Sequence, residues 1–121
     1  MILGIGIDMV DTKRFETWHT KPVHQLMRIF SEHEITYCLE HQNQSAQRFA
    51  VRFAAKEAFY KAYCAWQQDA ILPLITVCNI VSVAKNMHNV PYLLVNWHML
   101  KTPYEPICHV TLSHTQQLAL A

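Results

Sequence analysis

The chain has 121 residues, enough for one domain with a buried core and too few for two. Its formal net charge of +1 argues against a general nucleic-acid-binding protein, which usually carries a clear basic excess. No stretch approaches the roughly 18 apolar residues of a membrane span, and the N-terminus lacks the basic start and long apolar run of a signal peptide. We therefore expect one cytoplasmic domain over residues 1–121 that binds neither nucleic acid nor membrane.

The cysteines give no sign of a metal site. Cys38, Cys64, Cys78 and Cys108 are scattered along the chain without a C-x-x-C pair, so their spacing does not support zinc binding. We expect four reduced thiols that pack as small apolar side chains.

The N-terminal residues 2–10 predict a strand, because apolar residues alternate with small or acidic ones. Its two faces would carry Leu3, Ile5 and Ile7 on one side and Gly4, Gly6 and Asp8 on the other. The glycines leave room for a helix or a ligand to approach the backbone. They are not a dinucleotide fingerprint, because an aspartate stands where a third glycine would be. Asp11 or Thr12 can cap the next helix, which leaves Asp8 free for another role.

The remaining elements follow from turn residues, capping signals and periodicity. Helices are predicted over residues 11–18, over 23–30, and from the Ser31/Glu34 capping box to about His41. Loops, turns or connections are predicted over residues 41–47, 67–73, 85–91 and 102–106, and strands over 74–83, 92–100, 107–113 and 116–121. The order of strand, helices and then strands predicts an α+β fold with a mainly antiparallel sheet.

The chain is organised around residues 48–66, RFAVRFAAKEAFYKAYCAW, which predict one long central helix without glycine or proline. At the helical repeat, one side carries the small residues Val51, Ala54, Ala55, Ala58, Ala62 and Ala65. The other half carries Arg52, Lys56, Glu57 and Lys61. The simplest interpretation is a half-buried helix whose charged half faces solvent and whose alanine side packs on the sheet.

This packing has a chemical consequence if the glycine face of the first strand meets the alanine side of the helix. Asp8 and Glu57 would then lie near each other, and two close carboxylates repel unless a proton or a cation lies between them. Mg²⁺ typically binds one or two carboxylates together with substrate phosphates, and the neighbouring lysines and Arg52 would supply positive charge for phosphate oxygens. The residues thus indicate metal-assisted phosphate chemistry as the alternative to a purely structural charged face.

One histidine also stands out by its position. Val110, Leu112 and His114 share one face of the predicted strand over 107–113, so the imidazole belongs to the apolar face at the strand's end. A single histidine in such a place is more often a hydrogen-bonded structural group than a ligand. Both interpretations remain open from the residues alone.

Four segments together carry a resemblance to a known family. They are GIGIDMVDTKRF, RIFSEHE, RFAVRFAAKEAFYKA and HVTLSH, in this order along the chain. They resemble holo-acyl-carrier-protein synthase, the small single-domain class of 4'-phosphopantetheinyl transferases. The resemblance implies the fold of that class, a homotrimer with sites between subunits, and transfer of 4'-phosphopantetheine from coenzyme A to a serine of apo acyl carrier protein. Mg²⁺ would be the cofactor, adenosine 3',5'-bisphosphate would leave, and fatty acid biosynthesis would be the pathway served.

The resemblance also implies roles for individual residues. Asp8, Glu57 and Lys61 would form the catalytic group, with Asp8 and Glu57 holding the metal. Coenzyme contacts are implied for Arg52, Lys56, Lys61, His114 and Pro91, with His114 supplied by a neighbouring subunit. Contacts with the acidic carrier protein are implied for Arg14, Lys13 and Arg28. Either Glu57 or a metal-bound water would accept the serine proton.

Two segments depart from the pattern of this family. After the long helix the chain reads CAWQQDA in place of a glycine-containing loop, and Asn89-Val90-Pro91 stands in place of G-K-P. Bulky Trp66 and Val90 could reshape the nucleotide site. The alternative function is therefore a non-catalytic protein that binds coenzyme A or the carrier and keeps the trimeric fold. A metal-dependent phosphohydrolase is a third hypothesis.

Overall fold

A computed structural model describes residues 1–69 and 71–121; Ala70, within the predicted connection 67–73, lies outside the described residues. The helices are α1 (Val23–Leu26), α2 (Glu32–Leu39), α3 (Gln42–Trp66), α4 (Leu74–Ile80) and α5 (Trp97–Leu100). The strands are β1 (Met9–Asp11), β2 (Val81–Lys85), β3 (Pro91–Val95), β4 (Ser113–His114) and β5 (Leu118–Leu120). All pairs are antiparallel, in a sheet of order β1-β5-β4 and a β2-β3 hairpin. The predicted α+β fold is confirmed.

Helix α3 passes through both hydrophobic cores of the molecule. Its first half buries Phe49 and Phe53 in a core shared with β1, α2 and β5, and its second half buries Phe59 and Tyr63 in a core shared with α4 and β2. Aromatic rings dominate the first core, where the Phe30 and Phe49 centroids are 5.1 Å apart. No helix of the described residues combines the length and apolar composition that crossing a bilayer requires.

The predicted strand over residues 2–10 is wrong in extent but right in its packing. Only Met9–Asp11 forms a strand of the sheet. A Cβ atom added to Gly4 or Gly6 would overlap the carbonyl oxygens of Ala62 and Ala58, respectively. The N-terminal backbone therefore lies directly on the alanine side of α3, and only glycine permits this approach.

The short N-terminal helices are tighter or shorter than predicted. The predicted helix over 11–18 is replaced by two 3₁₀ turns, Thr12–Phe15 and Trp18–Thr20, and the first is capped by the Asp11 side chain. The helix predicted over 23–30 is α-helical only in α1. The Ser31 capping box is confirmed, because Ser31 and Glu34 each accept the backbone N–H of the other.

The loop predicted over residues 41–47 is wrong, because α3 already begins at Gln42. Glutamine and alanine are good helix formers, so a polar run is compatible with a helix whose outer face meets water. The inner face of this first turn and a half is packed, since Ser45 is fully buried. A polar composition was therefore a poor guide to the helix boundary.

The predicted strand over 74–83 is wrong in its first part. Residues Leu74–Ile80 form α4 and bury Val77, Cys78 and Ile80 at helical spacing, and the strand begins at Val81. Packing against α3 has overridden the preference of β-branched residues for strands.

The later predicted strands are also shorter than expected. The segment 92–100 divides into β3 and α5, which ends at Lys101 in the left-handed conformation with φ 54°. Of 107–113, only Ser113 enters a strand. The short strand predicted over 116–121 is confirmed by β5.

Candidate active site

Asp8 and Lys61 form one ion pair at the N-terminal end of β1. Lys61 Nζ donates to Asp8 Oδ1 at 2.8 Å and to the Ile7 carbonyl at 2.8 Å. Asp8 is almost fully buried, whereas the Lys61 side chain is about half exposed. This hydrogen bond raises the pKa of Lys61, so the ammonium stays charged. The pair thus places a fixed positive charge at the edge of a buried carboxylate.

Glu57 lies one turn before Lys61 on α3 and faces Asp8. Burial raises the pKa of Glu57 above its usual value, and a hydrogen bond to Asp8 and the charge of Asp8 raise it further, against the charges of Lys61 and Arg14. When both carboxyl groups are deprotonated, buried Asp8 Oδ2 has no hydrogen-bond donor among the described residues. Asp8, Glu57 and Lys61 are called the carboxylate site below. Two facing carboxyl groups of this kind accommodate one proton or one cation between them.

The oxygen atoms of the carboxylate site are suitable ligands for Mg²⁺. Its two carboxylates are hard oxygen ligands, and the orphaned Asp8 Oδ2 is a buried acceptor without a partner. No cluster of three or more His, Cys, Asp or Glu side chains suited to a metal occurs in residues 1–69 and 71–121. Water or substrate oxygens would complete the coordination of a magnesium ion.

A second site collects basic side chains between α2, α3 and the β2-β3 turn. This basic pocket has a volume of about 220 Å³, and its lining includes Tyr37, Arg48, Arg52, Lys85, Pro91 and His114. The predicted coenzyme residues Arg52, Pro91 and His114 thus lie together. His114 lines the same cavity as Arg52 of its own chain; its supply by a neighbouring subunit, which the resemblance implied, stays a prediction.

Tyr37 organises three cations of the basic pocket, and sequence analysis missed it. The guanidinium carbons of Arg48 and Arg52 lie 4.0 and 4.2 Å from the Tyr37 ring centroid, and Lys85 Nζ donates to its hydroxyl at 3.2 Å. Burial alone would raise the pKa of Tyr37, but the bond from Lys85 and the three positive charges together lower it. Arg48 and Arg52 are one helical turn apart, which is the only signal in the sequence for this cluster.

The segment Asn89-Val90-Pro91, which stands in place of G-K-P, includes a residue in the left-handed conformation that glycine favours. Asn89 adopts φ 63°, a left-handed conformation that asparagine tolerates better than most residues. The Asn86 side chain stabilises the turn, because its Oδ1 accepts the N–H groups of His88 and Val90 at 2.9 and 3.0 Å. The absence of glycine therefore does not abolish this wall of the basic pocket.

The prediction that the whole charged half of α3 faces solvent is wrong. Arg52 is buried, and Lys56 lies in the core, where its Nζ bonds Glu34 Oε1 at 2.7 Å and the carbonyls of Ile29 and Cys78 at 2.6 and 2.9 Å. The three donors of the ammonium are all used, which argues against the expected coenzyme contact of Lys56. A buried lysine needs such partners, and its acidic partner lies 22 residues away on α2.

The basic residues expected at the carrier protein are exposed. Lys13 and Arg14 lie in the first 3₁₀ turn, and Arg28 follows α1. The Arg14 guanidinium carbon is 5.2 Å from the Phe53 ring centroid, and its charge reaches Glu57. Arg14 therefore lies on the same side of the molecule as the carboxylate site.

Two comparisons of sequence give the family. Residues 4–120 match the 4'-phosphopantetheinyl transferase superfamily. A holo-[acyl-carrier-protein] synthase of Trichlorobacter lovleyi is 34% identical over 125 residues, which cover all of this chain and 94% of that protein. One of Treponema denticola is 49% identical over 63 residues, 51% of this chain. That second match covers 50% of the length of the Treponema denticola protein.

Comparison of structures agrees with the sequence matches. A holo-(acyl-carrier-protein) synthase from Bacillus anthracis, solved in complex with CoA (3',5'-ADP), has a TM-score of 0.71 and 27% identity, covering 99% of this chain and 92% of that one. The fold, the paired carboxylates and the sequence matches converge on one conclusion. The chain belongs to the holo-acyl-carrier-protein synthases of the 4'-phosphopantetheinyl transferase superfamily.

Proposed function

We propose that this protein transfers 4'-phosphopantetheine from coenzyme A to a serine of an apo acyl carrier protein, in the cytoplasm and in support of fatty acid biosynthesis. The observation that carries the proposal is the carboxylate site, in which buried Asp8 Oδ2 lacks a donor beside half-buried Glu57. The match to holo-[acyl-carrier-protein] synthases supplies the reaction class. Together they favour an active enzyme over the alternative, a non-catalytic protein that binds coenzyme A or the carrier and keeps the trimeric fold.

Asp8 and Glu57 would hold Mg²⁺, which when bound neutralises pyrophosphate charge and polarises the phosphorus–oxygen bond that breaks. Lys61 is held by Asp8 and Ile7 with its half-exposed ammonium at the rim, where it would bind a phosphate oxygen. Glu57 is the more accessible carboxyl of the pair, and either Glu57 or a water held at the metal would take the serine proton. The serine Oγ would bond to the β-phosphorus, and adenosine 3',5'-bisphosphate would leave.

The basic pocket would bind the nucleotide end of coenzyme A. Arg48, Arg52 and Lys85 surround one phenol there, and the buried Nε of Arg52 has no hydrogen-bond partner among the described residues. An anion such as the 3'-phosphate would neutralise this cluster and give that nitrogen an acceptor. Exposed Lys13, Arg14 and Arg28 would contact the acidic carrier.

A homotrimer with sites between subunits is part of the proposal. On the sheet face away from α3, a strip of exposed apolar side chains runs along β5, β1 and the residues just before β1: Ile5 (74% exposed), Ile7 (65%), Met9, Leu118 and Leu120. An exposed strip of this kind marks an association surface. Light scattering of Ile7→Glu should show a smaller assembly than the wild type, and an unchanged mass would remove this face from the interface.

The test of the reaction is the mass of the carrier. Apo carrier protein incubated with this protein, coenzyme A and Mg²⁺ should gain one phosphopantetheine, and chelation of the metal should abolish the gain. A carrier that keeps its mass with every divalent cation would contradict the proposal and favour the non-catalytic alternative. Free phosphopantetheine formed without any carrier would favour the phosphohydrolase.

A further inference from the structure

Tyr37 joins the end of α2 to the basic pocket by two separate contacts. Its carbonyl lies in the last turn of α2, where carbonyl groups lack partners within the helix, and it accepts Arg48 NH1 at 2.6 Å. Its ring lies against the same guanidinium, whose carbon is 4.0 Å from the ring centroid. Glu40 Oε2 and Gln44 Oε1 accept from Arg48 as well, at 3.0 and 2.9 Å. Arg48 is therefore held in place by its own chain.

Arg52 has fewer partners than Arg48. It is only 4% exposed, and its guanidinium carbon lies 4.2 Å from the Tyr37 ring centroid. Its NH1 donates to the Arg48 carbonyl at 3.3 Å, and its buried Nε has no partner among the described residues. Burial of a cation without an anion is costly, and the face of an aromatic ring offsets only part of that cost. Arg52 thus retains a donor for an anion that enters the basic pocket.

The hydroxyl of Tyr37 also has unused hydrogen-bonding capacity. Lys85 Nζ donates to it at 3.2 Å, and an ammonium group offers no acceptor in return. The phenolic proton has no acceptor among the residues that the structure describes. Burial raises the pKa of Tyr37, but the bond from Lys85 and the neighbouring positive charges lower it on balance, which makes the hydroxyl a better donor. Its proton is available to an acceptor inside the pocket.

No carboxylate at the pocket wall balances these charges. None of the described lining residues is Asp or Glu, and neither Arg52 nor Lys85 forms an ion pair within residues 1–69 and 71–121. The group that satisfies the pocket is therefore an anion with several acceptor oxygens. A phosphomonoester carries about −1.5 to −2 charges at neutral pH and three such oxygens, whereas a sugar hydroxyl brings no charge.

We propose that Tyr37 is a specificity-determining residue for the 3'-phosphate of coenzyme A: its hydroxyl donates to a phosphate oxygen, and its ring holds Arg52 towards the same group. This inference rests on the proposed function, which places the nucleotide end of coenzyme A in the basic pocket. Coenzyme A is then preferred over its 3'-dephospho form, which presents a neutral hydroxyl to Arg52 and Lys85. The selection acts on the coenzyme, apart from the carboxylate site.

Comparison of the two coenzymes as substrates tests this proposal. The measured quantity is the ratio of kcat/KM for coenzyme A to that for 3'-dephospho-coenzyme A, with one apo carrier protein and Mg²⁺. Tyr37→Phe keeps the ring and loses the hydroxyl, so the ratio should fall about tenfold, as for one lost hydrogen bond to a charged group. Tyr37→Leu loses the ring as well, so the ratio should fall about a hundredfold. Both losses should come from a higher KM for coenzyme A.

Tyr104→Phe is the matched control, because it removes an exposed phenolic hydroxyl outside the basic pocket. Its ratio should equal that of the wild type. A wild-type ratio in Tyr37→Phe would overturn the proposal. An equal loss for both coenzymes would overturn it too, because Tyr37 would then support only the local packing. Tyr37→Phe decides the outcome by itself if Tyr37→Leu does not fold.

Binding without a carrier separates this inference from the proposed function. Calorimetry gives the Kd of adenosine 3',5'-bisphosphate and of adenosine 5'-monophosphate for the wild type and Tyr37→Phe. The wild type should prefer the bisphosphate, and Tyr37→Phe should lose about tenfold of that preference. A wild type without the preference, or a variant that keeps it in full, would overturn the inference. The expected preference in a protein that transfers nothing to the carrier would contradict the proposed function alone.

Discussion

Two lysines of helix α3 each pair with a carboxylate from another segment, and the two pairs differ in how many of their polar atoms have hydrogen-bond partners. Lys56 and Glu34 are buried, with side chains 1% and 0% exposed, and Glu34 also accepts N–H groups from Ser31 and Val83. Lys61 is 52% exposed, and its partner Asp8 keeps one oxygen without a donor. The Lys56–Glu34 pair, called the closed pair, holds α2, α3 and β2 together. The Lys61–Asp8 pair, called the open pair, has one carboxylate oxygen available for a ligand.

Breaking the closed pair should have the largest effect. Lys56→Met leaves Glu34 charged in the core and removes the donor to the carbonyls of Ile29 and Cys78. Removing one partner of a buried pair costs about 3–5 kcal/mol. Urea unfolding at neutral pH should show a loss of this size in the free energy of unfolding.

Lys61→Met is the matched control for that experiment, because it removes a lysine from the open pair on the same helix. Its midpoint should fall less than that of Lys56→Met, because the Lys61 side chain is half exposed, although buried Asp8 loses its side-chain donor. Equal midpoints for Lys56→Met and Lys61→Met would remove the distinction between the two pairs.

Neutralising Glu57 of the carboxylate site should act on turnover and spare the fold. Glu57→Gln is close in shape but lacks the charge that a divalent cation requires, so transfer should fall by about a thousandfold, or roughly 4 kcal/mol of activation free energy. The urea midpoint should not decrease. A Glu57→Gln protein with undiminished turnover would exclude Glu57 from the site.

Removing one cation from the basic pocket should have a smaller effect. Lys85→Met takes away the donor to Tyr37 and one positive charge, so the KM for coenzyme A should rise about tenfold, as for one lost charge-assisted hydrogen bond. The kcat should hardly change. Lys101→Met removes an exposed lysine outside the pocket and serves as control; a matching rise in its KM would indicate a general charge effect.

The smallest effect is a pH dependence from Glu57. Its pKa in the folded state lies above the usual 4.5, so the folded protein binds this proton more tightly than the unfolded chain. Without divalent cations, the stability that this proton provides is present below the unfolded-state value and is lost as pH rises through the folded-state pKa. Unfolding of the wild type and Glu57→Gln from about pH 4 to 8 should differ by this slope. Parallel profiles would contradict it.

Local signals predicted the parts of this fold that depend on near neighbours. The glycine face of residues 2–10, the Ser31 capping box and the long helix follow from spacing and residue size, and all three are present. The helix α4 did not follow, because its β-branched residues favour strands and only contacts with α3 decide otherwise.

In the carboxylate site and the basic pocket, too, the sequence predicted contacts that follow from local patterns and missed partners from distant elements. Asp8 and Glu57 were brought together correctly because glycine and alanine faces predict close packing. The partner of Lys56 was missed, because Glu34 lies on another helix and no spacing connects the two. Tyr37 was missed for the same reason, since a ring that gathers cations from α3 and β2 has no periodicity of its own.

The central claim is that Asp8 and Glu57 form a divalent-cation site and that the neighbouring closed pair does not. The most direct measurement is calorimetric titration of Mg²⁺ into the protein with saturating coenzyme A, for the wild type, Asp8→Asn, Glu57→Gln and Lys85→Met. Binding should be present in the wild type and Lys85→Met and lost in the two carboxylate variants. Wild-type Mg²⁺ binding by Asp8→Asn and Glu57→Gln would contradict the account.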